Sequence, residues 1–515
     1  MGKVKSAVIT AVLVAAIAVL AFFAFFSWQV PGSNGVSRYN SFISGIRLGG
    51  DLTGEASAVL YPDGVITAAD YNFGMPEVPE GDEAADLTEE ELAELKDKQK
   101  EYISRYVKRG DLYIDNDAIT EYGEDGFKAH IQKDAEVLSG RLGEKGYSAY
   151  SVAVRDNYTI QVTVPTDFTY AAYKQYDTSA RSDATTAISR TIQFLSYNGE
   201  LSLRNGDVGK KQHNNILTPI SADITTYFKN VTKYAVAGNY AVKVNLTQSG
   251  REQFRKISGT VADNSGEDKA IGFFIGDNQL LSLTVSSVID ENSFFITVDK
   301  AYAQDYAIIL NSVVHGETLA LDYNSDSVDI VYGSAALGGN AAIYFGAALL
   351  LIVAASVILS VVKYKRLGLV NAIMIAIYAL TIITALLLIE IQFTIAGALA
   401  AVLGLALLCG SNFAVFEAVR RETKKGKTMP SSIKSGYKSM LTGVLDLHII
   451  LTVVSLMLAL ICVGELAACG LIFFIATVAS YVLHWFTRFM WYVISSPVRN
   501  KFAFGGFTRE EQIDD

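Results

Sequence analysis

The chain contains few cysteines and few histidines for its length. Only 3 of its 515 residues are cysteine, and Cys409, Cys462 and Cys469 all lie in or beside apolar runs. Residues 29–340 contain no cysteine, which excludes an internal disulfide and a thiolate metal site in that region. The 5 histidines are scattered without the spacing of metal ligands, so neither a metal nor another cofactor is predicted.

Motifs of catalysis and of nucleic-acid binding are also missing from the sequence. We find no Gly-rich phosphate loop followed by lysine and no G-x-S-x-G nucleophile motif. Residues 29–340 carry 27 Lys and Arg against 44 Asp and Glu, a net charge of −17. Nucleic-acid binding needs a basic surface, so no nucleic-acid partner is predicted. An enzyme is not predicted either, because no catalytic constellation is visible.

Long apolar runs are abundant in the sequence. The first, residues 7–26, is about 20 residues long and can cross a bilayer. Bulky residues follow it instead of a small-residue cleavage site, which indicates an uncleaved anchor. Further spans are predicted at 341–362, 367–389, 394–417, 441–463 and 467–490.

The basic residues between these runs predict the orientation of the chain. The loops 363–366, 420–427 and 498–501 are rich in Lys and Arg and alternate with loops that are not. All three fall on the side of Lys3 and Lys5. Because basic loops remain in the cytoplasm, we expect six spans, both termini in the cytoplasm, and residues 29–340 outside the membrane.

Residues 29–340 show the patterns of an α+β domain. Alternating apolar and polar residues predict strands at 158–165, 240–246 and 294–298. Thr88 with Glu91 forms a capping box for a helix over about 89–107. A second helix is predicted over about 125–143, followed by a strand pair that turns at Asp156-Asn157.

Short motifs along the chain resemble those of the SecD family. In "GIRLGGDLTGE" (45–55), Gly49, Asp51, Leu52 and Gly54 match the family's Gly-x-Asp-Leu-x-Gly-Gly signature, and Glu55 replaces the last glycine. The further similar segments, in the family's order, are "SGREQF" (249–254), "IGFFIGDNQL" (271–280), "YGSAALG" (332–338), "FTIAG" (393–397), "NFAVFEAVRRE" (412–422) and "GYKSMLTGVLDLH" (436–448). These segments occur in the same order and on the same spans as in the family. The chain therefore resembles SecD, an accessory subunit of the Sec protein-export machinery in the resistance-nodulation-division superfamily.

This resemblance implies an architecture and a set of partners. It implies a six-helix membrane bundle with a large external α+β domain that has a ferredoxin-like base and a head near residues 222–300. The predicted parts are an anchor (1–28), the external domain (29–340), a five-helix bundle (341–497) and a cytoplasmic tail (498–515). The implied partners in the bacterial plasma membrane are a SecF-like membrane protein, the Sec translocon channel and the unfolded exported polypeptide. The implied activity is release of that polypeptide, driven by the proton gradient.

The fourth span departs from the family pattern. The resemblance places the motif on Gly410, Ser411, Asn412 and Glu417, and Gly410 stands where the family has its proton-carrying aspartate. A glycine cannot titrate, so coupling to protons is either lost or moved to another residue. At 1.5 Å of rise per residue, Gly410 and His448 both lie roughly 15 Å from the inner boundary, and Asn412 and Asp446 both lie roughly 12 Å from it.

Three polar residues of the last two spans are therefore candidates for an intramembrane relay: Asp446, His448 and Arg488. His448 could place an imidazole level with the missing carboxylate. Alternatively, Asp446 hydrogen-bonds in the bundle interior and His448 is a satisfied polar residue. Arg488 either extends to the cytoplasmic surface of the membrane or pairs with Asp446. Glu417 is expected to pair with Arg420 or Arg421.

The sequence thus predicts a SecD-like auxiliary subunit of the protein translocase. An alternative is a divergent resistance-nodulation-division exporter of lipids or small molecules, which with six spans would need a dimer or a partner. A membrane-anchored enzyme is the third hypothesis.

Overall fold

The computed structural model describes most of the chain. The described residues are 3–29, 38–79, 87–156, 158–166, 189, 191–205, 227–236, 239–263, 269–276, 278–299, 302–323, 330–335, 337–338 and 340–495. Asn157, predicted to lie in a turn, and the predicted tail 498–515 fall outside the described residues. The helices are α1 (Lys3–Phe25), α2 (Gly50–Thr53), α3 (Ala68–Gly74), α4 (Glu89–Arg105), α5 (Asn116–Tyr122), α6 (Glu124–Glu144), α7 (Gln248–Ala262), α8 (Ala303–Val314), α9 (Ala341–Ile389), α10 (Ile395–Lys424), α11 (Met429–Ile461) and α12 (Gly464–Ser495).

Six helical stretches of the described chain are long and apolar enough to cross a membrane. They are Ala7–Phe25, Ala341–Lys365, Leu367–Ile389, Ile395–Lys424, Met429–Ile461 and Gly464–Trp491, here called the first to sixth spans. This confirms the number of spans predicted from the sequence. The second and third spans form one helix, α9, broken at Lys365, whose φ of 46° and ψ of −115° are not helical. The fifth span begins at Met429, where Pro430 in the first turn favours a helix start.

The region between the first and second spans contains all the strands of the described residues, with helices between them, and we call it the sheet domain. The strands are β1 (Trp28–Gln29), β2 (Arg38–Tyr39), β3 (Glu55–Leu60), β4 (Val65–Thr67), β5 (Tyr106–Arg109), β6 (Leu112–Asp115), β7 (Ser151–Arg155), β8 (Thr159–Pro165), β9 (Leu201–Asn205), β10 (Phe228–Val236), β11 (Asn239–Leu246), β12 (Ala270–Ile275), β13 (Asn278–Thr284), β14 (Ser293–Thr297) and β15 (Ile330–Gly333). Helices α4 and α6 occupy the positions predicted for them, and Thr88 and Glu91 form the expected capping box.

The base of the sheet domain is ferredoxin-like. Its four antiparallel strands lie in the order β15-β3-β8-β7. Helix α6 is the last of the elements between β3 and β7, and α8 precedes β15, which gives the β-α-β-β-α-β arrangement of that fold. The predicted ferredoxin-like base is therefore confirmed.

A second unit, the head, is inserted between β8 and α8. It consists of the sheets β10-β11-β14 and β13-β12-β9 with helix α7. The strand Leu201–Asn205 pairs with Ala270–Ile275, so one strand of the head precedes the range 222–300. The domain limits given above remain predictions.

Helix α8 joins the cores of base and head. Ile308 packs in the base, whereas Ile309 and Leu310 pack in the head. Arg141 of α6 lies beneath this helix, 1% exposed, and donates to Ser312 Oγ (3.1 Å) and to the carbonyls of Leu195 (2.5 Å), Tyr197 (3.1 Å) and Glu317 (3.2 Å). Burial lowers the pKa of Arg141 to about 10. This value is still well above neutral pH, so the guanidinium stays charged. Through these hydrogen bonds the buried guanidinium connects α6 to α8, to the segment 195–197 and to Glu317.

Candidate functional site

A buried hydrogen-bond network lies at the centre of the membrane bundle. Its central residue is Asn412 of the fourth span, which is fully buried. The Asn412 side-chain amide donates to Asn371 Oδ1 (2.6 Å) and to Thr487 Oγ1 (3.3 Å). Its oxygen accepts from Nδ1 of His484 at 2.7 Å. One asparagine thus joins the third, fourth and sixth spans, and burying it in a membrane is tolerated because its amide has partners.

The network continues from Asn371 to the second span. Asn371 Nδ2 donates to Ser360 Oγ at 2.8 Å, and the Ser360 hydroxyl donates to the carbonyl of Ser356 at 2.7 Å. The donors therefore follow one another in one direction, from His484 through Asn412 and Asn371 to Ser360. Side-chain amides orient their neighbours but do not gain or lose protons near neutral pH. This branch of the network orients His484, and its amide groups do not themselves take up a proton.

Two buried imidazoles, His484 in this network and His448 beside it, can take up a proton. His448 and His484 are 2% and 3% exposed, and their rings lie 6.4 Å apart. Nδ1 of His448 lies 2.7 Å from the carbonyl oxygen of Val444, which can only accept, so this nitrogen carries a hydrogen. Nδ1 of His484 faces Asn412 Oδ1 and carries one for the same reason. In both neutral rings, Nε2 is therefore the atom that can be protonated.

Nε2 of His448 has a polar partner on the sixth span. Nε2 of His448 lies 3.2 Å from Ser480 Oγ, a hydroxyl that can donate to a neutral ring or accept from a protonated one. Ser480 and His484 lie one turn apart on the sixth span, so the fourth and fifth spans contact the same face of that helix. This agrees with the similar depths expected for Asn412 and Asp446, and for Gly410 and His448.

Arg488 lies beside the network but does not pair with Asp446. Its guanidinium lies over the rings of Tyr437 (5.4 Å) and Trp485 (5.5 Å), which are cation–π distances. Both Arg488 and Asp446 are described, and no ion pair joins them. Asp446 is on the exposed face of the fifth span, beside the exposed Leu447 and Ile449. The structure thus separates the three relay candidates, and of these His448 is buried, with its ring 6.4 Å from that of His484.

The motif of the fourth span is divided between two helix faces. Ser411 and Asn412 are buried, but Gly410 is exposed, and a Cβ placed on Gly410 would meet nothing within 4 Å. Glu417 accepts from the Tyr364 hydroxyl (3.0 Å) and pairs with Lys363 (3.5 Å) and Arg420 (3.7 Å). The expected pairing of Glu417 with Arg420 is present, and it lies at the break between the second and third spans.

The Gly49–Gly54 motif connects the sheet domain to the start of the fourth span. Gly49 N–H donates to the carbonyl of Phe393 (2.9 Å), and Phe393 N–H donates to the carbonyl of Arg47 (2.8 Å). Asp51 Oδ2 accepts from the N–H of Ile395 at 2.5 Å, so this carboxylate caps the helix that carries Asn412. Leu52 is 1% exposed and packs in the membrane core.

Both glycines of this motif are needed for its close contacts. A Cβ on Gly49 would lie 2.5 Å from Thr394 Cγ2, and a Cβ on Gly54 would lie 2.7 Å from the carbonyl oxygen of Gly333. Gly54 also has a φ of +108°, which side chains rarely allow. The segments 45–55 and 393–397, singled out separately in the sequence, are therefore in direct contact.

The docking of Asp51 is expected to strengthen as the pH on the side of the sheet domain falls. Burial raises the pKa of Asp51, and the nearby charges of Glu465 and Glu55 act in the same direction, although hydrogen bonds from the backbone of Ile395 and Leu52 oppose it. The docked state therefore binds a proton more tightly than an undocked one. The resulting stabilisation is fully present below the ordinary aspartate pKa and is lost as the pH rises through the raised pKa.

Hydrogen exchange of the amides at 395–398 across the acidic pH range measures this effect, after correction for the intrinsic exchange rate. Asp51→Asn cannot titrate and is expected to give a flat profile. Identical pH profiles for the wild type and Asp51→Asn would contradict the prediction.

Several members of the network were not predicted from the sequence. Asn371, His484 and Thr487 are polar residues within apolar runs, which is the criterion that singled out Asn412. Applied to every span, this criterion would have found Asn371 and His484. The contact of the two motifs joins residues 344 positions apart and has no local signal.

Comparison with known proteins gives a consistent set of relatives. No protein-family model matches the chain. The chain is 23% identical to protein translocase subunit SecD of Synechocystis sp. over 265 residues (47% of this chain and 52% of that protein). It is 26% identical to SecD of Aquifex aeolicus over 249 residues (48% and 47%) and 23% identical to SecD of Koribacter versatilis over 430 residues (78% and 71%). The matches span about half the length of the first two relatives.

Solved structures of SecDF are also similar to the chain. A super-membrane-facing form of SecDF is 16% identical, with a TM-score of 0.49, and the match covers 96% of this chain and 59% of that one. SecDF from Thermus thermophilus is 16% identical, with a TM-score of 0.39 and coverages of 93% and 58%.

The fold and the site define a class of protein. The chain is a multi-span membrane protein with a sheet domain on a ferredoxin-like base, and a buried polar network lies in its membrane bundle. Within this class, the sequence similarity to three curated SecD subunits shows that the chain is SecD-like. The resemblance predicted from the motifs is confirmed.

Proposed function

We propose that the chain is an auxiliary subunit of the Sec protein translocase. It acts beside the Sec channel and a SecF-like membrane protein, and it assists the release of unfolded polypeptide at the outer face of the bacterial plasma membrane. Both termini lie in the cytoplasm and the sheet domain lies outside, in accordance with the distribution of basic loops.

The observation that carries this proposal is the direct contact between the sheet domain and the fourth span. Asp51 caps the first turn of that helix, and Asn412 of the same helix holds His484. A displacement of the sheet domain on a polypeptide would therefore be transmitted to the helix that orients a protonatable group. In the reverse direction, a change of charge in the bundle would act on the contact that positions the sheet domain.

We further propose that coupling to the proton gradient uses His448 and His484 in place of the family's aspartate. An intramembrane ionisable group is a candidate for a proton relay, and these two histidines have fixed Nδ1–H groups and a protonatable Nε2. A proton on Nε2 of His448 makes that atom a donor to Ser480 Oγ, so the serine hydroxyl must turn to another acceptor. Protonation thereby changes the hydrogen bonds between the fifth and sixth spans.

Purification and export assays test the proposed function. The full chain is extracted from its own membranes in mild detergent, and proteins purified with it are identified by mass spectrometry. We expect components of the Sec channel and a second six-span protein. Depletion of the chain is expected to slow the release of a secreted reporter from the membrane, and re-expression is expected to restore it.

The opposite result would favour the exporter alternative. If no Sec component is purified with the chain and depletion leaves the reporter unaffected, the translocase proposal is wrong. A change in the efflux of lipids or small molecules under the same depletion would then assign the chain to the exporters.

A further inference from the structure

The membrane bundle contains a second site, an apolar cavity next to the sheet domain. The cavity has a volume of about 430 Å³, within the range of ligand pockets. Its walls come from the second, third and fourth spans, represented by Phe345, Tyr378 and Leu405. Leu48 and Leu52, from the segment that docks on the fourth span, line it on the side of the sheet domain.

The cavity exists because the second span stands away from its neighbours. No residue from 343 to 359 in this span is fully buried. The facing side chains of the third span, Tyr378, Ile382 and Leu386, are only 3–7% exposed. The third span therefore offers a closed apolar wall, and the second span forms a separate opposite wall with the cavity between them.

Water is a poor occupant of this space. Among the described residues that line the cavity, Tyr378 alone has a polar side-chain atom, and its hydroxyl already donates to the carbonyl of Ala401 at 2.6 Å. A buried water needs two to four polar partners, and apolar cavities that lack them stay dry. The cavity is therefore suited to an apolar molecule.

The rim of the cavity is continuous with the bilayer-facing surface. Ile343, Leu350 and Ile352 line the cavity and are 46%, 64% and 40% exposed on the second span. In a bilayer the medium in contact with these side chains is acyl chains. The molecule that reaches the cavity without crossing water is thus a membrane lipid.

The depth of the cavity corresponds to one leaflet. Val353, its deepest residue on the second span, lies 12 residues after Ala341, or roughly 18 Å along the helix axis. Leu405 lies 10 residues after the start of the fourth span, or roughly 15 Å. Half of a typical hydrocarbon core is about 15 Å.

We propose that this cavity, between the second, third and fourth spans and the segment 43–52, binds an acyl chain of a bilayer phospholipid from the leaflet next to the sheet domain. The acyl chain enters between the second span and the rest of the bundle, and it contacts Leu48 and Leu52 from the membrane side. Bound lipid would then support the segment whose Gly49 and Asp51 dock on the fourth span. This inference does not depend on the proposed function.

Photolabelling in nanodiscs tests the proposal. The full chain is placed in phosphatidylethanolamine and phosphatidylglycerol nanodiscs that contain a trace of phosphatidylglycerol with a diazirine in one acyl chain. After irradiation, labelled residues are located by mass spectrometry. We expect label on the inward-facing Tyr378, Ile382 and Leu386, which lipids at the surface of the bundle do not reach.

Two variants that fill the cavity are expected to remove this label. Gly346 lines the cavity, and a Cβ there would meet nothing within 4 Å, so Gly346→Leu has room for its side chain in the open space beside the second span. We expect the label on the third span to fall about tenfold, equivalent to about 1.4 kcal/mol of binding. Ala379→Leu fills the cavity from the third span and serves as the second variant.

The matched control is Gly443→Leu on the exposed face of the fifth span. A Cβ on Gly443 also meets nothing within 4 Å, but this glycine does not line the cavity. We expect its labelling to equal that of the wild type. The proposal is overturned if label on Tyr378, Ile382 and Leu386 does not exceed that on 453–461 of the fifth span, or if it persists in both filled variants. Labelling of the same residues by a diazirine-bearing apolar peptide, with none from the phospholipid, would also overturn it.

Discussion

Asp134→Ala is expected to destabilise the base of the sheet domain by about 3–5 kcal/mol, because three donors would lose a buried acceptor. Asp134 is fully buried on α6. Its carboxylate accepts from the backbone N–H groups of Ala320 (2.6 Å) and Leu321 (3.1 Å) and from the Tyr323 hydroxyl (2.9 Å). The alanine methyl can satisfy none of them. The segment that leads from α8 towards β15 would then lose its attachment to the helix.

Native-state hydrogen exchange of residues 319–323 measures this effect, since it reports the free energy of opening for that segment. Glu136→Ala is the matched control, because Glu136 is exposed two residues further along the same helix. Asp134→Asn keeps one acceptor oxygen and is expected to lie between the alanine variant and the wild type. Exchange in Asp134→Ala as slow as in Glu136→Ala would show that the carboxylate does not hold the segment.

The parts of the fold that depend on neighbouring residues could be predicted from the sequence. Each membrane span is a continuous apolar stretch of helix, and bilayer thickness sets its length. Helix α4 begins at Glu89 as expected, because Thr88 and Glu91 cap it within a single turn. The ferredoxin-like base followed only from the resemblance, since the pairing of β15 with β3 joins segments more than 250 residues apart.

The candidate site was harder to predict because helix phase decides which residues meet. Gly410 and Asn412 are two positions apart, about 200° around the helix, so they face opposite sides. Alignment of motifs placed the family's proton-carrying position on Gly410, whereas the polar network is built on Asn412. Asp446 and His448 are separated in the same way, and only His448 faces the bundle. Depth along the axis could be estimated from the sequence, but rotation about the axis required the packing of all the spans.

His448→Asn and His484→Asn are expected to abolish the stimulation of polypeptide release by the proton gradient, if the proposed coupling is correct. The asparagine amide nitrogen occupies nearly the position of Nδ1, so the hydrogen bond to Val444 or to Asn412 can be retained. The atom that takes up a proton, Nε2, is removed. We therefore expect the variants to fold, with a stability cost of about 1 kcal/mol, and to release polypeptide at the rate measured without a gradient.

The measurement compares export of a reporter into vesicles with and without an imposed proton gradient. Asp446→Asn is the control within the same span, because Asp446 lies on the exposed face and contributes no hydrogen bond to the network. Its gradient dependence is expected to match that of the wild type. If both histidine variants kept their gradient dependence while Asp446→Asn lost it, the proton would have to be carried on the exposed face of the fifth span, where Asp446 lies. The network around Asn412 would then hold the helices together without carrying a proton, and the contact of Asp51 with the fourth span would serve positioning alone.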